Sequence, residues 1–169
     1  ANGGMVIVPP MPIMELGTMA FLADPGGAAI GIWQAGEFPG TGVLGDPGTP
    51  AWFELHTRSY DASLDFYRTV FDWDLHAMGD TPEFRYSTLG EGDAQAAGIM
   101  DATAHLPEGV PSYWTVYFAT DDTDATLARV VELGGAVVPP PAVTPYGRLA
   151  VATDATGTPF SLLGPNLAG

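Results

Sequence analysis

The sequence predicts an α+β fold assembled from repeated strand–helix–strand units, on three observations. The chain repeats itself at two periods, each repeat joins an alternating apolar segment to a stretch with helical spacing, and runs of glycine and proline separate the repeats. In the longer repeat, residues 3–33 resemble residues 134–163 and pair Gly17 with Gly147, Asp24 with Asp154 and Gly27 with Gly157, 130 positions apart. In the shorter one, Asp61-Ala62-Ser63-Leu64 lines up with Asp124-Ala125-Thr126-Leu127, 63 positions apart, so the unit is about half the larger period.

Residues 18–23 and 28–33 are too apolar to stay in water, so the N-terminal stretch is expected to supply strands. Residues 36–50, GEFPGTGVLGDPGTP, have the composition of a linker. Alternation over 51–57 predicts a strand, Ser59 is a suitable N-cap, and Leu64, Phe66, Tyr67, Val70 and Phe71 predict a helix over 60–71. Residues 84–89 and 96–100 read as strands around the turn residues Gly90 to Asp93. The second unit repeats the order: a strand over 113–120, a helix over 122–133 ending on Gly134-Gly135, and strands over 148–153 and 159–163. Asp122 and Asp124 fall in the first turn of that helix, where negative charge suits the dipole.

Composition narrows the function. The 169 residues suffice for one ordinary domain, and 46% hydrophobic against 15% charged residues marks a globular chain. Twenty acidic residues face five basic ones, all arginine, giving a net charge of -15. A phosphate backbone or an anionic membrane needs a basic surface, so neither nucleic acid nor membrane is expected as a partner. No cysteine is present, which removes disulfides, thiolate metal sites and thiol nucleophiles. The opening residues lack a basic leader and are broken by Pro9, Pro10 and Pro12, so no signal peptide is expected and the cytoplasm is the expected compartment.

With Trp52-Phe53-Glu54-Leu55 ahead of residues 66–73, FYRTVFDW, and with Asp-Pro-Gly-Gly (24–27) or Asp-Ala-Thr-Gly (154–157) before a last strand, the chain resembles the vicinal oxygen chelate superfamily. That superfamily includes glyoxalase I, bleomycin resistance proteins and extradiol dioxygenases, and the nearest likeness is to two-domain actinobacterial glyoxalase-like or hydroxylase-type proteins. The resemblance implies paired βαβββ units that curl a mixed sheet around a cavity, with helices outside. It divides the chain into 1–35 as the C-terminal strands of an incomplete first domain, 36–50 as linker, and 51–169 as a complete domain. It also implies a divalent metal on His and Glu ligands, at positions that fall here on Trp52, Gly98, Thr115 and Ser161. None of these donates an imidazole or a carboxylate, so no metal cofactor is expected.

Strand residues two apart share a face, so Trp52, Glu54 and His56 point one way while Phe53 and Leu55 pack under the helix. Glu54 and His56 are the candidate catalytic pair, two groups able to exchange a proton. Trp52, Met100, Thr115, Tyr117, Arg148 and Ser161 are the candidate ligand contacts: aromatic walls with a few polar groups suit a small-molecule pocket. His76 and His105 lie in turn-rich sequence and are not assigned chemistry. The expected function is binding of a small molecule in the bleomycin resistance manner, without the usual metal. The alternative is an enzyme of lyase, dioxygenase or hydroxylase type using Glu54 and His56 or other ligands. Strand edges left bare by an incomplete first domain predict a homodimer, or association with the missing first-domain segment.

Overall fold

The computed structural model describes residues 2–167. They form two compact units. Unit 1 comprises the residues up to Gly42 together with Glu54–Trp114, and unit 2 comprises Val43–Phe53 and the residues from Thr115 onward. The α+β class holds, with two α-helices among the described residues and the remaining regular structure in strands apart from one short 3-10 turn.

Unit 1 begins with an antiparallel sheet of β1 (Met5–Ile13), β2 (Gly17–Ala23) and β3 (Ala29–Ala35). The N-terminal stretch therefore does supply strands. A strand at the end of the linker, β4 (Pro50–Thr57), leads into α1 (Tyr60–Phe71), then β5 (Leu75–Thr81), β6 (Phe84–Leu89) and β7 (Ala97–Asp101). The second half of β4 pairs parallel with β7, which pairs antiparallel with β6, and β6 with β5. Helix α1 keeps its predicted bounds because Tyr60, Ser63, Leu64 and Tyr67 fall on one buried stripe. It stops at Asp72, which adopts a left-handed φ of 56° and donates its N–H to the Tyr67 carbonyl.

Two expectations are corrected here. Ser59 sits at the N-cap of α1, but its side chain makes no capping bond. The Thr57 hydroxyl braces the start of the helix: it accepts the N–H of Ser59 itself at 3.0 Å and contacts the Ser63 hydroxyl at 3.1 Å. Strand β5 was not foreseen, and it carries His76, which the sequence places in a turn. Its LHAMGDT sequence breaks alternation because the strand bulges at Met78, between Ala77 and Gly79.

The β2–β3 hairpin lies over α1. Ala28 is 1% exposed and packs with Leu55, Phe66 and Tyr67, with Leu22 and Ile30 alongside. The hairpin turn is closed by Asp24, which takes the Ala28 N–H on its carboxylate at 2.9 Å, and Gly27 supplies the φ of 89° that the turn requires. The buried Asp24 carboxylate also accepts the Tyr67 hydroxyl at 3.3 Å, and that hydroxyl accepts the Trp114 indole N–H at 2.9 Å. Buried Asp24 and Tyr67 and the half-buried Trp114 thus satisfy one another's polar groups beneath the N-terminal strands.

Unit 2 contains the rest of β8 (Tyr113–Ala119), α2 (Thr123–Glu132), β9 (Ala136–Val137), β10 (Ala142–Thr144), β11 (Gly147–Thr153) and β12 (Pro159–Gly164). β8 pairs parallel with β12; β11 pairs antiparallel with β12, β10 and β9. Leu127, Ala150, Ala152 and Leu162 form its core. Asp122 lies just before α2, not inside it, and caps it by accepting the Ala125 N–H at 3.0 Å.

Both repeats are visible at the level of single hydrogen bonds. The Thr57–Ser63 hydroxyl pair recurs as Thr120–Thr126 at 2.6 Å, 63 residues on. The Asp24–Ala28 turn recurs as Asp154–Thr158: Asp154 takes the Thr158 N–H at 2.9 Å, and Gly157 has a φ of 87°.

Candidate functional site

Strand β4 divides its residues between two faces. Leu55 and Thr57 are fully buried on the α1 side, while Glu54 and His56 emerge on the other with side chains 13% and 16% exposed. In register they sit beside Gly98 and Met100 of β7, and Met100 in turn sits beside Tyr86 of β6. Glu54, His56, Gly98, Met100 and Tyr86 therefore share one face of unit 1.

The Tyr86 phenol leans over Gly98, where a Cβ would overlap its hydroxyl, and reaches the Glu54 carboxylate. Tyr86 Oη donates to Glu54 Oε2 at 2.7 Å, and Nε2 of His56 lies 2.8 Å from Glu54 Oε1. The His56 approach is short but is not an aligned hydrogen bond. The His56 ring stacks on Tyr113 at 5.1 Å, and Phe84 stacks on Tyr86 at 5.8 Å. Desolvation, and then the Glu54 charge, push the Tyr113 phenol above its ordinary pKa, which keeps it protonated and able to donate. A carboxylate flanked by a phenol and an imidazole can hold a polar ligand or pass a proton.

Tyr86, Tyr113 and Phe84 were not singled out from sequence. The signal was available for two of them, because residues 84, 86 and 88 of a strand share a face. Of the other candidates, Met100 lies on the Glu54 face. Trp52, Thr115, Tyr117, Ser161 and Arg148 belong to unit 2. There, Tyr117 and Ser161 are opposite each other in register, Thr115 and Ser161 hydroxyls are 3.3 Å apart, and Arg148 pairs with Asp124 at 2.9 Å. His76 contacts Asp74 at 2.8 Å, and His105 lies in the turn after β7 with its N–H on the Ala102 carbonyl.

Among the described residues no group of three or more His, Asp or Glu is placed to hold a metal ion. The expected ligand positions carry an indole, a glycine and two hydroxyls, and Glu54 and His56 are two donors turned toward each other. This donor set does not fit a transition metal held by three or four imidazoles and carboxylates. No helix among the described residues is long and apolar enough to cross a membrane.

Comparison with known proteins identifies the family and the fold. The chain is 42% identical over 165 residues to the protein named "Putative glyoxylase CFP32" of Mycobacterium tuberculosis, covering 97% of this chain and 62% of that protein. It is 39% identical over 166 residues to the anthracycline biosynthesis protein DnrV of Streptomyces peucetius, covering 95% and 58%. The chain thus spans about three-fifths of the length of these relatives. Methylmalonyl-CoA epimerase of Streptomyces coelicolor shares the fold, with a TM-score of 0.52 at 18% identity over 70% of this chain and 97% of that one. Residues 49–162, which include β4, both helices and the Glu54 face, match the family model for these folds, and the chain belongs to the glyoxalase/bleomycin resistance protein/dioxygenase superfamily.

Proposed function

We propose that the chain binds a small polar molecule on the unit 1 face carrying Glu54, His56, Tyr86 and Met100, and does so without a metal cofactor. The observation that supports this reading is the Glu54 carboxylate, largely withdrawn from solvent, with one oxygen on the Tyr86 hydroxyl and the other beside the His56 ring. A ligand hydroxyl or N–H that displaces the Tyr86 contact exchanges one hydrogen bond to the carboxylate for another, while Tyr113 and Phe84 offer aromatic surface for its flat part. Trp52, Thr115, Tyr117, Ser161 and Arg148 remain candidate ligand contacts on unit 2. The strands of residues 1–35 are read as the end of a preceding domain, 36–50 as its linker and 51–169 as the complete domain; the 130-residue repeat supports that reading. The cytoplasm is the proposed compartment.

A second reading is favoured by the same trio. With a phenol and an imidazole on either side of it, Glu54 is placed to take a proton from an acidic C–H or O–H and His56 to accept or return one, which makes proton transfer the reaction class.

Titration with an anthracycline, chosen because one relative is named for anthracycline biosynthesis, followed by tryptophan quenching, tests the binding reading. Saturable binding that weakens about tenfold in Glu54→Gln, with an unchanged melting temperature, is expected. Equal binding by Glu54→Gln removes Glu54 from the site. Loss of stability instead of affinity makes it structural. Exchange of a ligand C–H for deuterium that is abolished in Glu54→Gln supports the proton-transfer reading.

A further inference from the structure

The row of register partners that contains Glu54 continues across the sheet of unit 1. Glu54 on β4 stands beside Gly98 on β7, and Gly98 stands beside Thr88 on β6. Register partners share a face, so Thr88 is on the Glu54 face two strand spacings away, about 10 Å. Thr88 is nonetheless 3% exposed, and against its hydroxyl lies the amide of Gln95, in the turn that leads into β7. The hydroxyl fixes which way that amide is turned. Its one proton goes to the Gly90 carbonyl at 3.0 Å, so toward Gln95 it can only accept, and Gln95 Nε2 donates to it at 3.3 Å. The same nitrogen donates to Met78 Sδ at 3.6 Å. Both N–H groups of the amide are thereby engaged within the protein, and the carbonyl oxygen, an acceptor, is what Gln95 offers a ligand.

Resting on the binding reading above, we propose that Gln95 determines ligand choice on the Glu54 face and that the ligand is a flat, neutral molecule with a hydrogen-bond donor at each end, of the bisphenol class. One hydroxyl donates to Glu54 and the other to the Gln95 carbonyl. Both anchors are acceptors, which calls for a donor at each end. The arginines of unit 1 are all committed elsewhere, which disfavours an anionic end: Arg85 lies over the Tyr60 ring of α1 at 4.5 Å, Arg58 donates to the carbonyls of Leu106 and Pro107, and Arg68 to that of Leu75. Between the anchors the face is aromatic. The Tyr86 phenol leans over Gly98, and the Phe84 ring lies 5.8 Å from it and within 8° of parallel, a surface suited to a flat ligand body.

Isothermal titration of the 169-residue chain with 4,4′-dihydroxybiphenyl and with 4-hydroxybiphenyl, which lacks the second hydroxyl, tests the second anchor. The wild-type chain is expected to bind the diol about tenfold more tightly, the worth of one net hydrogen bond, and Gln95→Leu is expected to abolish that preference. A third ligand, 4-hydroxy-4′-methoxybiphenyl, has the length of the diol with an acceptor at its far end, and is expected to bind no more tightly than 4-hydroxybiphenyl. Equal affinity of the wild-type chain for the diol and either single-donor ligand overturns the proposal. So does a Gln95→Leu variant that weakens the diol and 4-hydroxybiphenyl alike and keeps their ratio, which makes Gln95 structural. If all three bind equally and all weaken in Glu54→Gln, the binding reading stands and the second anchor alone fails. If none binds the wild-type chain, both fall.

Discussion

Asp24 and Asp154 hold the same place in the same turn, 130 residues apart, and their carboxyl groups are displaced in opposite directions. Asp24 is 3% exposed, and desolvation raises its pKa despite the backbone N–H groups and the Tyr67 hydroxyl that it accepts. Asp154 is in solvent, and hydrogen bonds from Thr156 and then the backbone of Thr158 lower its pKa. One local motif therefore makes opposite contributions to the pH dependence of folding, decided by whether the turn is covered.

The signs follow from linkage. A raised pKa means the folded chain holds the Asp24 proton to higher pH than the unfolded chain does. Its contribution is full below the unfolded value near 3.8 and is lost as pH rises through the raised folded value. Asp154 contributes above its unfolded value and loses that contribution as pH falls through the lowered one. In urea unfolding, the stability of the wild-type chain relative to Asp24→Asn is expected to rise as pH is taken from 7 to 4, and relative to Asp154→Asn to hold over that range and fall only as pH is taken below 3.8. Parallel pH profiles for the two variants would contradict the assignment.

The Tyr67 hydroxyl is the centre of a chain from half-buried Trp114 to buried Asp24, so Tyr67→Phe leaves the indole N–H and a buried carboxylate oxygen each short of a partner. A loss of about 1–3 kcal/mol is expected from equilibrium unfolding. Faster amide exchange is expected to concentrate in β2 and β3, the strands that this chain fastens to α1.

Arg58 makes a single cation serve several carbonyls. Its Nη2 donates to Leu106 and Pro107 at 2.8 and 2.7 Å, and its Nε to Val110 at 3.3 Å. Arg58→Lys retains the charge but not the planar fork, so limited proteolysis within residues 103–110 is expected to accelerate in Lys and Ala variants alike. Cleavage at the wild-type rate in the Lys variant would reduce the role of Arg58 to charge.

Gly98 and Tyr86 compete for one volume, and a double-mutant cycle reads the competition. Gly98→Ala alone is expected to cost about 1–3 kcal/mol as Tyr86 is forced off Glu54. In a Tyr86→Ala background the same change is expected to cost much less, giving a coupling energy well outside additivity. Additive costs would place the Tyr86 ring elsewhere.

Much of this was legible in the chain itself. Helix α1 was readable to the residue because Leu64, Tyr67 and Phe71 keep helical spacing up to a break. The repeats were readable because Asp-x-x-Gly turns are short-range devices. Strand β5 was not, since its bulge puts Met78 and Gly79 out of alternation. The candidate site was half legible: Glu54 and His56 follow from strand parity alone, whereas Tyr86 comes from another strand 32 residues away, and its approach depends on β6–β7 register and on the missing side chain at Gly98. The cap of α1 was half legible: Ser59 does hold the N-cap position, but its side chain makes no capping bond.

The Gly98–Tyr86 arrangement also sets an order on descent. An ancestor or descendant carrying a metal-binding carboxylate or imidazole at position 98 has no space for the Tyr86 phenol as it now lies. Mutation toward such a ligand from this chain must begin at position 86, with a smaller residue that removes the Tyr86 hydroxyl from Glu54. The intermediate has neither the phenol nor the new ligand. Random libraries at position 98 alone should return glycine almost exclusively, and other residues should emerge only where position 86 is varied with it.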